Sequence, residues 1–234
     1  MAYFHRVPCR MRTFTAGSLL LAGLALLGPG LSRAAAADNE VREFNVKIDD
    51  KPAGSYILGI NRQDDGVTMV TGQADVKHKI GFITVYTYKY QGMEAWKDSR
   101  LLRLESTCND DGKQHVVSVT AEPDATRVKA DGHERTTRPD VWTTSYWHLA
   151  DAKFRNQTVP LLDCDTGKDI VGTLQYIGTQ QLNVSGQAEN CAHYRVKGEQ
   201  IQADLWYDSK ECLVREESME DGHRTLLELV RIRR

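Results

Sequence analysis

No two of the five cysteines stand in a Cys-x-x-Cys pair, and no histidine lies at ligand spacing from two of them. A structural zinc site therefore has no support in the sequence. The chain also has no His-Glu-x-x-His, no Gly-x-Ser-x-Gly elbow and no glycine-rich phosphate loop. Their absence removes the signatures of zinc proteases, α/β-hydrolases and nucleotide-binding enzymes, and no catalytic residue, metal or cofactor is assigned. An apolar run of about 20 residues, the length that spans a bilayer as a helix, is missing too; the longest, Ser18–Leu27, is half that. Basic residues are not in excess, at 30 Lys and Arg against 32 Asp and Glu, so the chain has no electrostatic footprint for nucleic acid.

What is present begins with an export leader. Arg6, Arg10 and Arg12 precede the apolar run, Gly28-Pro29-Gly30 breaks it, and Ala34–Ala37 offers small residues for cleavage before Asp38. That order is a secretory signal peptide over residues 1–37, with Met11 an alternative start. The only early cysteine, Cys9, lies upstream of the apolar run, so no lipid anchor is expected. The mature chain, residues 38–234, is placed free in the bacterial periplasm or secreted. Removing residues 1–37 takes away four arginines and no acids, which moves the formal net charge from −2 to −6. The remainder is long enough to bury the core of one domain.

Cys108, Cys164, Cys191 and Cys212 remain. An even count in an exported chain suggests two disulfides, with three possible connectivities. If the C-terminal strands pair in sequence, the strand beginning at Cys191 folds back to meet Asp208, close to Cys212. That favours Cys191 with Cys212 and leaves Cys108 with Cys164.

Strand signals dominate the mature chain. Phe44, Val46 and Ile48 alternate with Asn45, Lys47 and Asp49, and after the DKPAG turn Tyr56, Leu58 and Ile60 resume the alternation, as in a half-buried hairpin. Asp65-Gly66 is a strong hairpin turn leading into Val67–Val76. A long β-branched and aromatic stretch, Ile80–Trp96, is followed by Leu101–Thr107, His115–Ala121 and Thr126–Ala130, with Asp- and Gly-rich turns between them. The C-terminal run Ala192–Ile232 repeats the pattern in Tyr194–Lys197, Ile201–Tyr207, Leu213–Met219 and Thr225–Ile232. Between the two meanders, Thr158–Cys164 and Asp169–Gly178 read as a hairpin, with a further strand over Gln181–Val184.

The exception is Arg138–Asn156. Pro139 suits a first helical position, and Trp142, Tyr146, Leu149 and Lys153 recur at helical spacing. Thr143, Thr144 and Ser145 are poor helix formers, which limits the stretch to one or two turns. The expected fold is all-β: an antiparallel meander of about ten to twelve strands in a single domain, curled into a half-barrel or barrel-like sheet, with one short helical insertion. Curling removes the exposed edges that so many sequential strands would leave.

The even positions of Ile80–Trp96 carry an aromatic row, Phe82, Tyr86, Tyr88 and Tyr90. Phe82, Tyr86 and Tyr88, with Trp142, Tyr146 and Trp147 of the insertion, are the candidate ligand-binding residues, since pockets are lined mainly by apolar and aromatic side chains. The same rings serve equally well as core. The histidines are isolated in sequence, and His148, beside Trp147, reads as structural. Trp206-Tyr207-Asp208 reads as a strand end running into a turn. Asn156 and Asn183 match the glycosylation pattern but are not expected to be used in a bacterial protein.

Four segments occur in a recognisable order: FNVKIDDKPAGSYILGI, MEAWKDSRLLRLES, YWHLADAKF with LLDCDTG, and ADLWYDSKECLVREES. Over roughly Glu43 to Arg231 the chain resembles a bacterial family of exported all-β proteins known only as a domain of unknown function. The resemblance implies an antiparallel, barrel-like or half-barrel sheet and supplies no activity and no catalytic residue. Cys164 and Cys212 depart from the family pattern, which fits a disulfide particular to this lineage. In architecture alone such a sheet is similar to periplasmic lipoprotein carriers and lipocalin-like half-barrels. The expected function is a binding or carrier module for a lipid or other apolar or amphipathic molecule. An envelope component that holds a protein partner is the alternative, and an envelope hydrolase is third.

Overall fold

The computed structural model describes residues 38–220 and 222–234; the expected leader, residues 1–37, lies outside them. Eight strands come first: β1 (Asp38–Ile48), β2 (Lys51–Arg62), β3 (Thr68–Ile80), β4 (Ile83–Lys97), β5 (Arg100–Asp110), β6 (Lys113–Ala121), β7 (Thr126–Ala130) and β8 (His133–Thr137). An irregular stretch holds the two-residue β9 (Trp142–Thr143). Six more strands follow: β10 (Gln157–Leu162), β11 (Asp169–Val184), β12 (Gln187–Lys197), β13 (Gln202–Tyr207), β14 (Leu213–Glu220) and β15 (His223–Arg233).

All belong to one sheet, in the order β8-β7-β6-β5-β4-β3-β2-β1-β15-β14-β13-β12-β11-β10-β9. Every neighbouring pair is antiparallel except β9 with β10. The strand count exceeds the expected ten to twelve: β8, HERTT, has no apolar residue to mark an alternation and β9 has only two residues, whereas the separate strand expected over Gln181–Val184 is the end of an unbroken β11. Tight turns join the strands. Asp49 and Asp50, Asp98 and Ser99, Asp111 and Gly112, Asp131 and Gly132, and Ser185 and Gly186 all have positive φ, as two-residue turns matched to the twist of a hairpin require.

The two meanders meet in the middle of the sheet, where β1 pairs with β15 from Val41↔Arg233 to Ile48↔Thr225. The edges are β8 and β9, and only Arg138–Val141 lies between them in the chain. Laid flat, a 15-stranded sheet would hold its edges roughly 65 Å apart at about 4.8 Å per strand spacing. The connection spans about 18 Å at most. The sheet must curl, and it does so without closing into a barrel. Arg135 of β8 reaches across the remaining gap to Asp169 Oδ2 at 2.6 Å and to the Gly167 carbonyl at 2.5 Å.

The insertion expected to be helical contains a single 3₁₀ turn, Ala152–Phe154, capped by the Asp151 side chain. Thr143 joins a strand instead of a helix, and the backbone of Trp147–Leu149 bonds to the turn between β13 and β14. Leu213 N–H donates to the Trp147 carbonyl (3.1 Å), Leu149 N–H to the Glu211 carbonyl (2.9 Å), and His148 bridges Cys212. Those tertiary bonds use donors and acceptors that a longer helix would have kept for itself.

Inside the curl, one end is closed by packed aromatics and a buried ion cluster. Arg42 is fully buried and serves three acceptors: Nε to Glu40 at 2.6 Å, Nη1 to the Leu213 carbonyl at 2.9 Å, and Nη2 to Asp208 at 2.5 Å. Burial works to raise the Glu40 carboxyl, but Arg42 and Arg234 outweigh it and hold the group below the usual range. Asp208 also accepts from the Lys210 and Cys212 amides, both at 2.9 Å. Arg42 thus fixes β1 to the β13–β14 turn that anchors the insertion. Arg42→Met leaves the buried Asp208 without a countercharge and Glu40 with Arg234 alone, and is expected to lower the unfolding free energy by about 3–5 kcal/mol, measured by guanidinium titration. Arg42→Lys should recover little, because one ammonium does not reproduce the three-way fork.

Candidate functional site

The other end of the curl is open and holds a cavity of about 790 Å³. Its wall runs along the sheet from His115 of β6 to Ile170 of β11. Val46, Ile48, Tyr56, Ala74, Val76, Tyr86, Tyr88 and Tyr90 contribute from one side, and Ala203, Ser218, Met219, Thr225 and Leu227 from the other. Thr144–Tyr146 of the insertion and Asp163–Thr166 of the β10–β11 turn form the floor. Period-two alternation accounts for the wall: Val46 and Ile48, Ala74 and Val76, and Tyr86, Tyr88 and Tyr90 are successive inward positions of their strands.

A pair of glycines seats the tyrosines. Gly72 of β3 faces Gly92 of β4. A Cβ on Gly72 would come within 2.8 Å of the Tyr56 hydroxyl and 3.2 Å of the Tyr90 ring, and one on Gly92 would overlap the Tyr90 phenol. The two rings lie where side chains would otherwise stand, an aromatic-over-glycine arrangement known from β-sheets. Burial pushes both phenols well above their ordinary pKa, so each stays a neutral hydrogen-bonding group. Tyr88 is likewise raised, by burial and by Asp165, both of whose carboxyl oxygens lie 3.0 Å from its hydroxyl.

Beneath the cavity, Glu94 ties sheet to insertion. It is fully buried and accepts from Trp96 Nε1 at 2.7 Å and Thr143 Oγ1 at 3.0 Å, with the Cys164 thiol at 3.8 Å. Burial raises its pKa despite the hydrogen bonds from Ser145, Trp96 and Thr143. Ser106 Oγ donates to the Cys164 carbonyl at 2.6 Å, which pins the turn that carries Asp163 and Asp165.

The disulfides expected from the cysteine count are not formed: Cys108, Cys164, Cys191 and Cys212 are all buried free thiols. Local contacts occupy the sulfurs instead. Cys191 and Cys212 each donate to a carbonyl two residues back, Glu189 and Lys210, both at 3.7 Å, and Cys212 also receives Arg62 Nη2 at 3.4 Å. The Cys164 thiol lies 3.8 Å from the Glu94 carboxylate. Burial lifts the Cys108 thiol to about 12 and Cys164 well above its ordinary value. Neither supplies the thiolate that nucleophilic attack needs. Among the described residues, no three His, Cys, Asp or Glu side chains converge as a metal site.

Of the six residues expected from sequence to bind a ligand, the structure brings Tyr86, Tyr88 and Tyr146 together on the cavity surface. Trp142 and Trp147 belong to the packed layer below: Trp142 lies 4.9 Å from the Tyr146 ring and donates to the His148 carbonyl at 3.0 Å, and Trp147 meets Trp96 at 6.3 Å. Phe82 stands wholly in solvent at the β3–β4 turn, with 105% relative exposure. The insertion is therefore a floor to the cavity. Glu94 and the glycine pair were not singled out in the sequence, and Tyr56, read there as an alternating strand position, was not assigned to the site.

The charges around the cavity have one sign. Asp110, Asp163, Asp165, Glu199 and Glu216 are at its surface, whereas no Lys or Arg is found among the described lining residues. The one lining histidine, His115, has Nδ1 2.7 Å from Asp131.

A family model for a domain of unknown function, DUF6134, matches residues 44–230. The chain belongs to this family. The fold of this chain is similar to the crystal structure of a β-barrel-like protein of domain of unknown function DUF1849 from Brucella abortus. The TM-score is 0.60 at 9% sequence identity, covering 83% of this chain and 96% of that one; at that identity the likeness shows the fold alone. No protein of curated function matches the chain.

In this DUF6134 chain His148 belongs to the packed floor. Its ring lies 5.0 Å from Trp96 and 4.1 Å from Trp147, with Nδ1 2.6 Å from the Leu149 carbonyl. Burial lowers its pKa to about 4, so the folded ring is neutral where an unfolded one, titrating near 6.5, is becoming charged. The stability this contributes is complete above pH 6.5 and is lost as pH falls towards 4. Guanidinium unfolding across that window should show the decline, and His148→Phe should flatten it. An equal decline in the variant would remove His148 as the source.

Proposed function

We propose that this protein is an exported binding or carrier module that holds one amphipathic molecule, with a neutral or cationic head, in the open cavity of its curled sheet. The observation that carries the reading is the 790 Å³ cavity walled by Tyr56, Tyr86, Tyr88 and Tyr90 together with aliphatic side chains. Its volume lies within the range of small-molecule sites, and the mix of apolar wall and a few convergent polar groups is what such sites use. The acids at its surface set the sign of the ligand. An anionic head would meet only like charge, whereas an ammonium would find carboxylates and the faces of tyrosine rings. Residues 1–37 supply the export leader, and the periplasm is the compartment to which it would deliver the module.

Protein purified from its exporting cells is expected to bind dodecyltrimethylammonium one to one by native mass spectrometry, and dodecyl sulfate at least about tenfold more weakly, a difference of about 1.4 kcal/mol. Ala74→Trp, which fills the cavity from its wall, should abolish the complex without unfolding the protein. Failure to retain either amphiphile, or equal binding by Ala74→Trp, overturns the reading.

A further inference from the structure

The β3–β4 hairpin outruns its neighbours. β3 makes its last pairing with β2 at Val76↔Gly54, and the last bond from β4 to the β5 side joins the Thr87 carbonyl to Asp111 N–H at 2.8 Å. Beyond these points Lys77–Ile80 pair only with Ile83–Thr87, a ribbon of about 13 Å at the rise of a strand. It leans on the start of β15, where the His78 ring lies 5.8 Å from that of His223. The tip is left in water with Phe82 fully exposed, Ile83 70% exposed and Val85 44% exposed. Lys77 and Lys79 are exposed on the same ribbon, and no acid occurs between Lys77 and Lys89. Two further residues of this hairpin, Tyr86 and Tyr88, form part of the cavity wall.

We propose that this ribbon is a membrane-docking arm, whose Phe82 and Ile83 enter the interface of an anionic bilayer while Lys77 and Lys79 meet its headgroups. Apolar residues at an exposed tip with lysines behind them are the arrangement of interfacial anchors, in which buried apolar area and attraction to anionic lipid add. A chain that is otherwise acidic keeps base and exposed aromatic together here. A protein partner fits less well, because a two-stranded tip offers far less than the roughly 800 Å² per side of a specific interface. A second copy would bring like-charged lysines together. Docking by this arm brings the cavity's own hairpin to the surface where an amphiphile resides, yet it is read from the ribbon alone and stands whether or not the cavity is filled.

The four described tryptophans, Trp96, Trp142, Trp147 and Trp206, are all buried, so a tryptophan at the tip can be followed by difference against wild type. With protein purified from its exporting cells, Phe82→Trp emission is expected to shift to shorter wavelength on phosphatidylglycerol-rich vesicles and to be quenched by lipids brominated near the headgroup. Lys77→Glu with Lys79→Glu should weaken that binding by at least about thirtyfold, the loss of two lysines near an anionic surface, with repulsion of the new carboxylates adding to it. Ala74→Trp, which tests the cavity, should leave docking unchanged. Emission that is indifferent to anionic vesicles, or a response equal on phosphatidylcholine and insensitive to the lysine reversals, overturns the proposal. So does a shift that follows protein concentration without lipid, which would assign the tip to self-association.

Discussion

Arg138–Val141 impose the constraint on which the structure depends, because these residues tie one edge of a 15-stranded sheet to the other. A sheet of that width would otherwise twist open or split into layers. Held at both edges it has an inside, and everything of chemical interest follows from how that inside is filled. The terminal edge strands β8 and β9 are short, and the gap between them is crossed by Arg135, which limits the edge they present to other chains.

The interior is divided along its length. The closed end holds Arg42 with Glu40 and Asp208, the Trp96, Trp142 and Trp147 layer, and Glu94 beneath the floor. The open end has glycines where side chains could stand and tyrosines lying over them. Buried ion clusters add little net stability compared with an apolar core, yet they penalise every arrangement in which one partner is lost. Here that penalty falls on any displacement of the β13–β14 turn or of the insertion bonded to it. The cavity floor is held rigid by charges that never touch the cavity.

Much of this was legible in the sequence, and what was not has definite causes. The alternation of Phe44, Val46 and Ile48 and the Asp- and Gly-rich turns gave the strands and their neighbours, because both signals are local. The pairing of β1 with β15 is not local, and no spacing announces it. Nor does a sequence show which aromatics of one strand reach the interior: Tyr86 and Tyr88 do, while Phe82, four residues before Tyr86 and of the same parity, lies past the end of the sheet. Trp142 and Tyr146 sit at helical spacing, but backbone bonds to a distant turn decided their conformation. Counting four cysteines pointed to disulfides, whereas the strands carry each thiol to a different set of partners. Glu94 offered no signal at all, since its role depends on Thr143 and Cys164 arriving from the other side of the curl.

The β1–β15 ladder has a consequence for the order in which the molecule is made. Either meander can assemble from contacts between neighbours as soon as it exists, at small loop-closure cost. The ladder joining Val41 to Arg233 closes nearly the whole chain, so the sheet stays in two halves until the last strand emerges. A polypeptide built this way cannot complete its fold before β15 is available to pair with β1. The seam that joins the two halves lies at the centre of the finished sheet.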